Sequence, residues 1–156
     1  MFTAKDAMLA VGMKKPNFDR WCSAGIARPT VPSQGTGYPA KWDGYDLIGL
    51  LLTKKLSNAG VTLKVAADIS EELIKKKRSL EIDTIWEIAI DPVSHEVFDV
   101  PLTGVIGDNS RDKEFERWRI HRTIVLVIQL DQLMFEVMER LGIEGKDKKN
   151  YLINCR

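Results

Sequence analysis

The sequence predicts a mainly α protein (α+β), with about four helices in its first half and a β-hairpin followed by a long helix in its second half. Three observations predict this class. Apolar residues recur at helical spacing before residue 80, apolar and polar residues alternate over 84–102, and helical spacing returns over 111–141. We therefore divide the chain into 1–79 and 80–156. Its 156 residues, 44% of them apolar, suffice for a buried core.

The first two helices are short and close together in the chain. Thr3 and Asp6 form a capping-box pattern that starts the first helix, and Gly12 predicts a left-handed end. Pro16 suits the first turn of a second helix over 16–24. Its inward-facing side chains are predicted to be Phe18, Trp21 and Cys22. Two short helices joined by a few residues that include glycine form a helix-turn-helix.

Residues 27–44 contain too much proline and glycine for a helix. Three aromatic residues, Tyr38, Trp42 and Tyr45, lie in or directly after the stretch, and two of its glycines lie within residues 33–37. This pattern predicts a twisted β-hairpin, a wing, with its tip at 33–37. The alternative is a surface loop without strands.

Two longer helices complete the first half. Asp46 is predicted to cap the third helix, which ends at Asn58-Ala59-Gly60, and Thr62 is predicted to cap the fourth. The apolar residues of the third are Leu47, Ile48, Leu50, Leu51, Leu52 and Leu56. Those of the fourth are Leu63, Ala66, Ala67, Ile69, Leu73 and Ile74. The basic run 75–78 suits a helix C-terminus, where cations stabilise the helix dipole.

In the second half, the alternating stretch 84–102 predicts a β-hairpin with its turn at 91–95. Residues 111–141 are predicted to form one long helix that is apolar nearly all round near 124–128, so something must bury it. A homodimer interface is our prediction. Its residues would be Trp118, Ile124, Val127, Leu130, Leu133 and Val137. The alternative is that this helix packs on its own hairpin and on the N-terminal helices.

Charge is distributed unevenly along the chain. Residues 1–79 hold 13 Lys/Arg against 7 Asp/Glu, a balance of +6, whereas residues 80–156 hold 10 against 15, a balance of −5. A basic half joined to an acidic half suggests that the first half meets a polyanion. A chance imbalance on a solvated surface remains the alternative.

Residue patterns for catalysis, metal binding or cofactor binding are absent from the sequence. The two histidines, His95 and His121, stand in no metal-ligand spacing, and no glycine-rich phosphate loop follows a predicted strand. Cys22 and Cys155 do not make a disulfide framework. No apolar run spans a membrane and no signal peptide is recognisable. We expect a cytoplasmic, bacterial or phage-encoded protein that has no cofactor and is not an enzyme.

The first 75 residues resemble the DNA-binding domain of the MerR family of transcription regulators. The resemblance lies in the order and spacing of short pieces: Thr3-Ala4-Lys5-Asp6-Ala7, Gly12 and Gly25, Phe18 and Trp21, Gly37-Tyr38, Trp42, Asp46-Leu47 and Gly60-Val61-Thr62-Leu63. It implies a winged helix-turn-helix that binds double-stranded DNA. The chain departs from the family at Asp19 and Pro39, where arginines are usual, and in the hairpin that precedes its long helix.

In this arrangement the helix 16–24 would lie in the major groove, where side chains distinguish every base pair. Base-edge contacts are predicted for Asn17, Arg20 and Ser23, and phosphate contacts for Lys14, Lys15, Arg28 and Lys41. At the wing, Gln34 and Thr36 would reach the minor groove or the backbone, and Tyr38 would pack the wing down with its hydroxyl towards a phosphate. For each lysine, simple solvation is the alternative.

The sequence thus predicts a dimeric transcription regulator of bacterial or phage type. A second hypothesis keeps DNA binding but assigns it to recombination or packaging, because phage excisionases and small terminase subunits have a similar winged helix. A third is a protein-interaction module that has lost DNA binding, which Asp19 and Pro39 support. The sequence indicates no effector, target site or sign of regulation.

Overall fold

The computed structural model of the chain describes residues 1–35, 37–79, 85–90, 97–102 and 126–143. Side chains are described for 1–35, 37–75 and 132–143. The described residues form five helices and three strands, which confirms the predicted mainly α class. Among them, no helix has the length and apolar character needed to cross a membrane.

In chain order, the helices are α1 (Ala4–Val11), α2 (Lys15–Ser23), α3 (Gly44–Asn58), α4 (Leu63–Ser79) and α5 (Leu130–Arg140). The strands are β1 (Ile85–Ile90), β2 (Val97–Leu102) and β3 (Leu126–Gln129). β1 is the central strand and pairs antiparallel with both neighbours. Ile90 lies opposite Val97 of β2 and opposite Leu126 of β3. The predicted turn 91–95 lies outside the described residues.

The start of α1 follows its sequence pattern. The Thr3 hydroxyl accepts a hydrogen bond from the Asp6 amide at 3.3 Å, and the Asp6 carboxylate accepts one from the Thr3 amide at 2.8 Å. This reciprocal capping box satisfies two amide groups that have no partner within the helix. Gly12 ends the helix in the left-handed region, with φ of 61°, so both predictions for α1 are confirmed.

The prediction that Asp46 caps α3 is wrong. The N-cap is Asp43, whose carboxylate accepts from the Asp46 amide at 2.8 Å, and Asp46 answers by accepting from the Asp43 amide at 3.0 Å. Two acidic residues three apart form a capping box, and the first of them marks the start of the helix. The helix therefore begins at Gly44, which the sequence analysis had placed in the wing.

The core lies between α1, α3, α4 and α5, and α3 contributes more residues to it than any other described element. All six apolar residues predicted to face inward from α3 are buried. In α4, four of the six predicted inward residues are buried: Ala66, Ile69, Leu73 and Ile74. Trp42, only 1% exposed, joins α2 to this core through its ring contact with Phe18, at a centroid distance of 5.5 Å.

The prediction of one continuous helix over 111–141 is wrong at residues 126–129, which form β3. This stretch reads Leu-Val-Ile-Gln and follows further apolar residues, and β-branched side chains favour a strand. Helix α5 begins directly after it. Four side chains of α5, Leu133, Met134, Val137 and Met138, lie in the same core as α1 and α3.

Polar contacts also attach α5 and α3 to the end of α1. Arg140 of α5 donates to the Ala10 carbonyl at 2.9 Å, and Lys54 of α3 donates to the carbonyls of Val11 and Gly12 at 2.8 and 2.9 Å. The last carbonyls of a helix have no partner within the helix and carry partial negative charge. These two cations therefore stabilise the turn that leads from α1 to α2.

Candidate nucleic-acid interface

Helix α2 is attached to the protein along one narrow side. Phe18 is its single buried residue and Trp21 is half-buried. The predicted inward orientation of Cys22 is wrong, because its side chain is exposed. A helix of nine residues that rests on one aromatic anchor leaves most of its circumference in solvent. The remaining surface of α2 is therefore available for a partner.

The exposed side of α2 carries the residues that the sequence analysis predicted to contact base edges. Asn17, Arg20 and Ser23 are all exposed and follow each other at intervals of three residues. Residues at this spacing are neighbours along one side of a helix. Lys14, the N-cap residue of α2, is exposed at the helix start.

The chain reverses tightly after α2, and this turn fixes where the helix ends. The amides of Ile26 and Ala27 both donate to the Trp21 carbonyl, at 2.9 and 3.1 Å. Gly25 adopts the left-handed conformation with φ of 67°, which a residue with a Cβ rarely takes. The segment that follows α2 is thus hydrogen-bonded to the helix itself.

Residues 31–35 leave the core, and residues 37–41 return to it beside α1. Val31 and Lys41 exchange two backbone hydrogen bonds at 3.1 and 2.9 Å, and Phe2 and Trp42 exchange two more. These are isolated bridges and not strands, and near the tip the Tyr38 amide donates to the Gly35 carbonyl at 3.2 Å. We call residues 31–41 the returning loop.

The predicted contact residues of the returning loop are at the surface. Gln34 and Lys41 are exposed, and the Tyr38 side chain is 68% exposed. The prediction that Tyr38 packs the wing down is therefore wrong, because its ring is not buried. Thr36 lies outside the described residues.

Two of the predicted phosphate-binding cations already have carboxylate partners. Lys15 pairs with Asp19 one turn further along α2, at 2.6 Å. Arg28 pairs with Glu71 of α4 and also donates to the Gly25 carbonyl at 2.6 Å. Within the described part of the chain, Lys14, Arg20 and Lys41 take part in no ion pair. Among the predicted contact residues that the structure describes, these three cations are therefore ready for an external anion.

Two observations concern the chemistry of the described residues. Although Cys22 is exposed, partial desolvation of its thiol by neighbouring atoms, followed by the charge of Asp19, raises the pKa of the thiol, which disfavours the reactive thiolate. In the ranges that the structure describes, no group of three or more His, Cys, Asp or Glu side chains is arranged to hold a metal ion.

The predicted dimer residues have different surroundings from those expected. Leu133 is 3% exposed and Val137 is 0% exposed, and both pack inside their own chain. At these two positions α5 packs on the N-terminal helices, which is the alternative to the predicted dimer interface. Val127 lies in β3 and Leu130 is the first residue of α5, whereas Trp118 and Ile124 lie outside the described residues.

Sequence reasoning missed Lys54 and Arg140, because they act on α1 from 42 and 130 residues away along the chain. Lysine and arginine in a helix are ordinarily assigned to the solvated side, so spacing alone carries no signal of this role.

No known protein family matches the chain. No curated protein is significantly similar to it.

Proposed function

We propose that the chain binds double-stranded DNA sequence-specifically, with α2 as the recognition helix of a winged helix-turn-helix. The observation that carries this proposal is the contrast between the two sides of α2. One side is anchored by Phe18, and the other presents Asn17, Arg20 and Ser23 in a row. A helix held in this way fits the major groove of B-DNA, which is wide enough to admit it.

The exposed residues divide into two roles. Arg20 and Asn17 carry planar groups that pair with two atoms of guanine and adenine, respectively. Lys14 and Lys41, at the start of α2 and at the base of the returning loop, would neutralise phosphates and orient the helix. In this proposal the returning loop is the wing, and Gln34 and Tyr38 reach the backbone or the minor groove.

A regulator of this type would act as a homodimer, because one small module makes few contacts and two modules read a two-fold symmetric site. Since Leu133 and Val137 lie in the core, the dimer would use Trp118, Ile124, Val127 and Leu130 from the predicted set. Transcription regulation is the role that we propose for such a dimer.

A second candidate function is protein binding without DNA. The Lys15–Asp19 pair at 2.6 Å favours it, because it places a carboxylate on α2 and engages a neighbouring lysine. Arg28, which would hold a phosphate, is likewise engaged by Glu71. A surface with both signs of charge suits a protein partner better than a polyanion.

The first test is retention of genomic DNA fragments by the full chain over a series of salt concentrations, followed by sequencing. We expect enrichment of a two-fold symmetric motif, with affinity that falls steeply as salt rises. Absence of retention even at low salt would contradict DNA binding and favour the protein-binding function.

The enriched site then allows a matched comparison of variants by fluorescence anisotropy. Arg20→Ala should weaken binding about 10-fold or more and relax the sequence preference at one base pair. Lys14→Ala should weaken binding to all sequences equally. It should also reduce the slope of log affinity against log salt concentration by about one, as expected for the loss of one phosphate contact. Lys5→Ala, an exposed lysine of α1 outside the predicted contacts, is the control and should leave affinity nearly unchanged.

A further inference from the structure

A cleft of about 300 Å³ lies between the segment 26–30 and the facing sides of α3 and α4. Its apolar wall includes Ile26, Leu50 and Ile74. The volume lies at the lower end of the range for small-molecule sites in proteins. It therefore suits a compact ligand rather than a peptide or a nucleotide.

Gly49 lies on the α3 side of this cleft, at the point where α3 approaches α4. A Cβ at this position would lie 3.2 Å from the Cγ1 atom of Ile74, so an alanine would require Ile74 to move. Close approach at Gly49 places two hydroxyl groups from different helices, Thr53 and Ser70, in the same cleft. Their residues are 3% and 2% exposed.

The buried hydroxyl groups offer acceptors to the cleft. Thr53 donates its proton to the Gly49 carbonyl at 2.9 Å, and Ser70 donates its proton to the Ala66 carbonyl at 2.7 Å. A hydroxyl has one proton and two lone pairs, so each oxygen can still accept a hydrogen bond but cannot donate another. A ligand that meets these oxygens must bring the donors.

Asp46 adds negative charge to the same cleft. Burial raises the pKa of this carboxyl, and the charge of Asp43 raises it further, while hydrogen bonds from the Asp43 amide and from Thr30 lower it. A raised pKa means that the surroundings disfavour the carboxylate. A cation close to Asp46 would relieve this unfavourable environment.

Two of the three charged groups at the edge of the cleft pair with each other, and Lys75 is the third. Arg28 and Glu71 pair with each other, which joins the segment 26–30 to α4 across one side. Lys75 is exposed at the end of the described side chains of α4. The side chains deeper in the cleft therefore determine its preference, and they are acceptors.

We infer that this cleft binds a small organic amine, with its apolar body against Ile26, Leu50 and Ile74 and its ammonium group towards Asp46, Thr53 and Ser70. The binding of the amine is independent of the proposed function, but its regulatory effect rests on the proposed DNA binding. The amide of Ile26 donates to the carbonyl of Trp21 in α2, so a ligand against Ile26 acts on the segment that fixes the end of the recognition helix.

The test is a titration of the full chain with phenethylamine and with 3-phenylpropionate, followed by amide chemical shifts in NMR spectra. The two probes share a phenyl ring and a short chain but have opposite charge. We expect saturable shifts around Gly49 and Ser70 with the amine, and at least 10-fold weaker binding of the carboxylate. Equal binding of the two probes, or shifts spread over the surface, would overturn the inference.

Two variants test separately the hydrogen-bond acceptors of the cleft and its open volume. Thr53→Val keeps the side-chain shape and removes one acceptor, so amine binding should weaken about 5-fold or more. Ala67→Met should fill the cleft and abolish binding, and a thermal melt shows whether each variant is folded. Lys64→Ala, at an exposed lysine of α4 that does not line the cleft, is the control. Unchanged amine affinity in folded Thr53→Val and Ala67→Met would overturn the site.

DNA affinity measured with and without saturating phenethylamine distinguishes this inference from the proposed function. A change of at least 3-fold in DNA affinity, lost in Ala67→Met, would support the regulatory coupling. Amine binding with unchanged DNA affinity would overturn the coupling. If the chain binds the amine but no DNA, the proposed function is contradicted, whereas the titration still supports the amine site.

Discussion

Helices α2 and α3 differ more than any other two helices of the first half. Eight residues of α3 are buried, whereas α2 buries Phe18 alone. Packing in the core therefore restricts which residues α3 can carry. The described fold places little restriction on the residues of the outer side of α2. A surface that the fold does not need can be shaped by a partner, which is why we place the binding site on α2.

The largest expected effect is a loss of stability on changing α3. Leu51 is 1% exposed, and Leu51→Ala should lower the free energy of unfolding by about 2–5 kcal/mol, because the lost burial is compounded by a cavity. Urea unfolding measures this change. The matched control is Leu9→Ala, at a leucine of α1 that is 54% exposed, where we expect a change within about 0.5 kcal/mol. Equal losses in the two variants would contradict the assignment of α3 to the core.

A smaller loss is expected at Val137, which decides whether α5 belongs to this core or to a dimer surface. Because Val137 is 0% exposed within its own chain, Val137→Ala should lower the free energy of unfolding by about 1–3 kcal/mol. We expect the same loss at low and high protein concentration. A loss that depends on protein concentration would instead assign this residue to an interface between chains.

The comparison also predicts a change on α2 that alters binding without altering stability. Asp19→Asn removes a carboxylate from the exposed side of α2 and releases Lys15 from its ion pair. DNA affinity should rise about 3-fold, because one repulsive charge is lost and one cation becomes available. The free energy of unfolding should change by less than about 1 kcal/mol, since exposed ion pairs contribute little. Unchanged or weaker DNA binding would favour a protein partner for α2.

The same two helices show what the sequence can predict. The inward side of α3 followed from apolar spacing alone, because six large apolar residues within ten positions must be buried somewhere. Its start was misplaced, because Asp43 and Asp46 are both good caps and the choice depends on which carboxylate meets which amide. On α2, Phe18 contacts Trp42 of the core while Cys22 is exposed. Helical spacing alone does not reveal that the buried side of α2 excludes Cys22.

The second half was less predictable for a different reason. A stretch that is apolar nearly all round gives no period, so helix and strand cannot be distinguished, and residues 126–129 became β3 by pairing with β1. Of the candidate site, the exposed residues of α2 could be predicted. The i,i+4 spacing of Lys15 and Asp19 was a signal for their ion pair, whereas Arg28 and Glu71, 43 residues apart, could not be paired from the sequence.

The smallest expected effect concerns the polar attachment of α5. Burial raises the pKa of Glu136, but the hydrogen bond from Lys55 and the charges of Arg140 and Lys55 outweigh it and lower the pKa below the usual value. A carboxyl whose pKa is lower in the folded state than in the unfolded chain stabilises the fold above the unfolded value. That contribution is lost as the pH falls through the folded value.

Glu136→Gln should therefore lower the free energy of unfolding at neutral pH by no more than about 0.5 kcal/mol, because Lys55, its partner at 2.7 Å, is 43% exposed and water screens the pair. The difference between variant and parent should shrink towards zero in acid, where Glu136 is protonated. Urea unfolding from pH 7 down to pH 3 measures this convergence. A constant difference over the whole range would show that packing of the side chain, and not its charge, attaches α5 to α3.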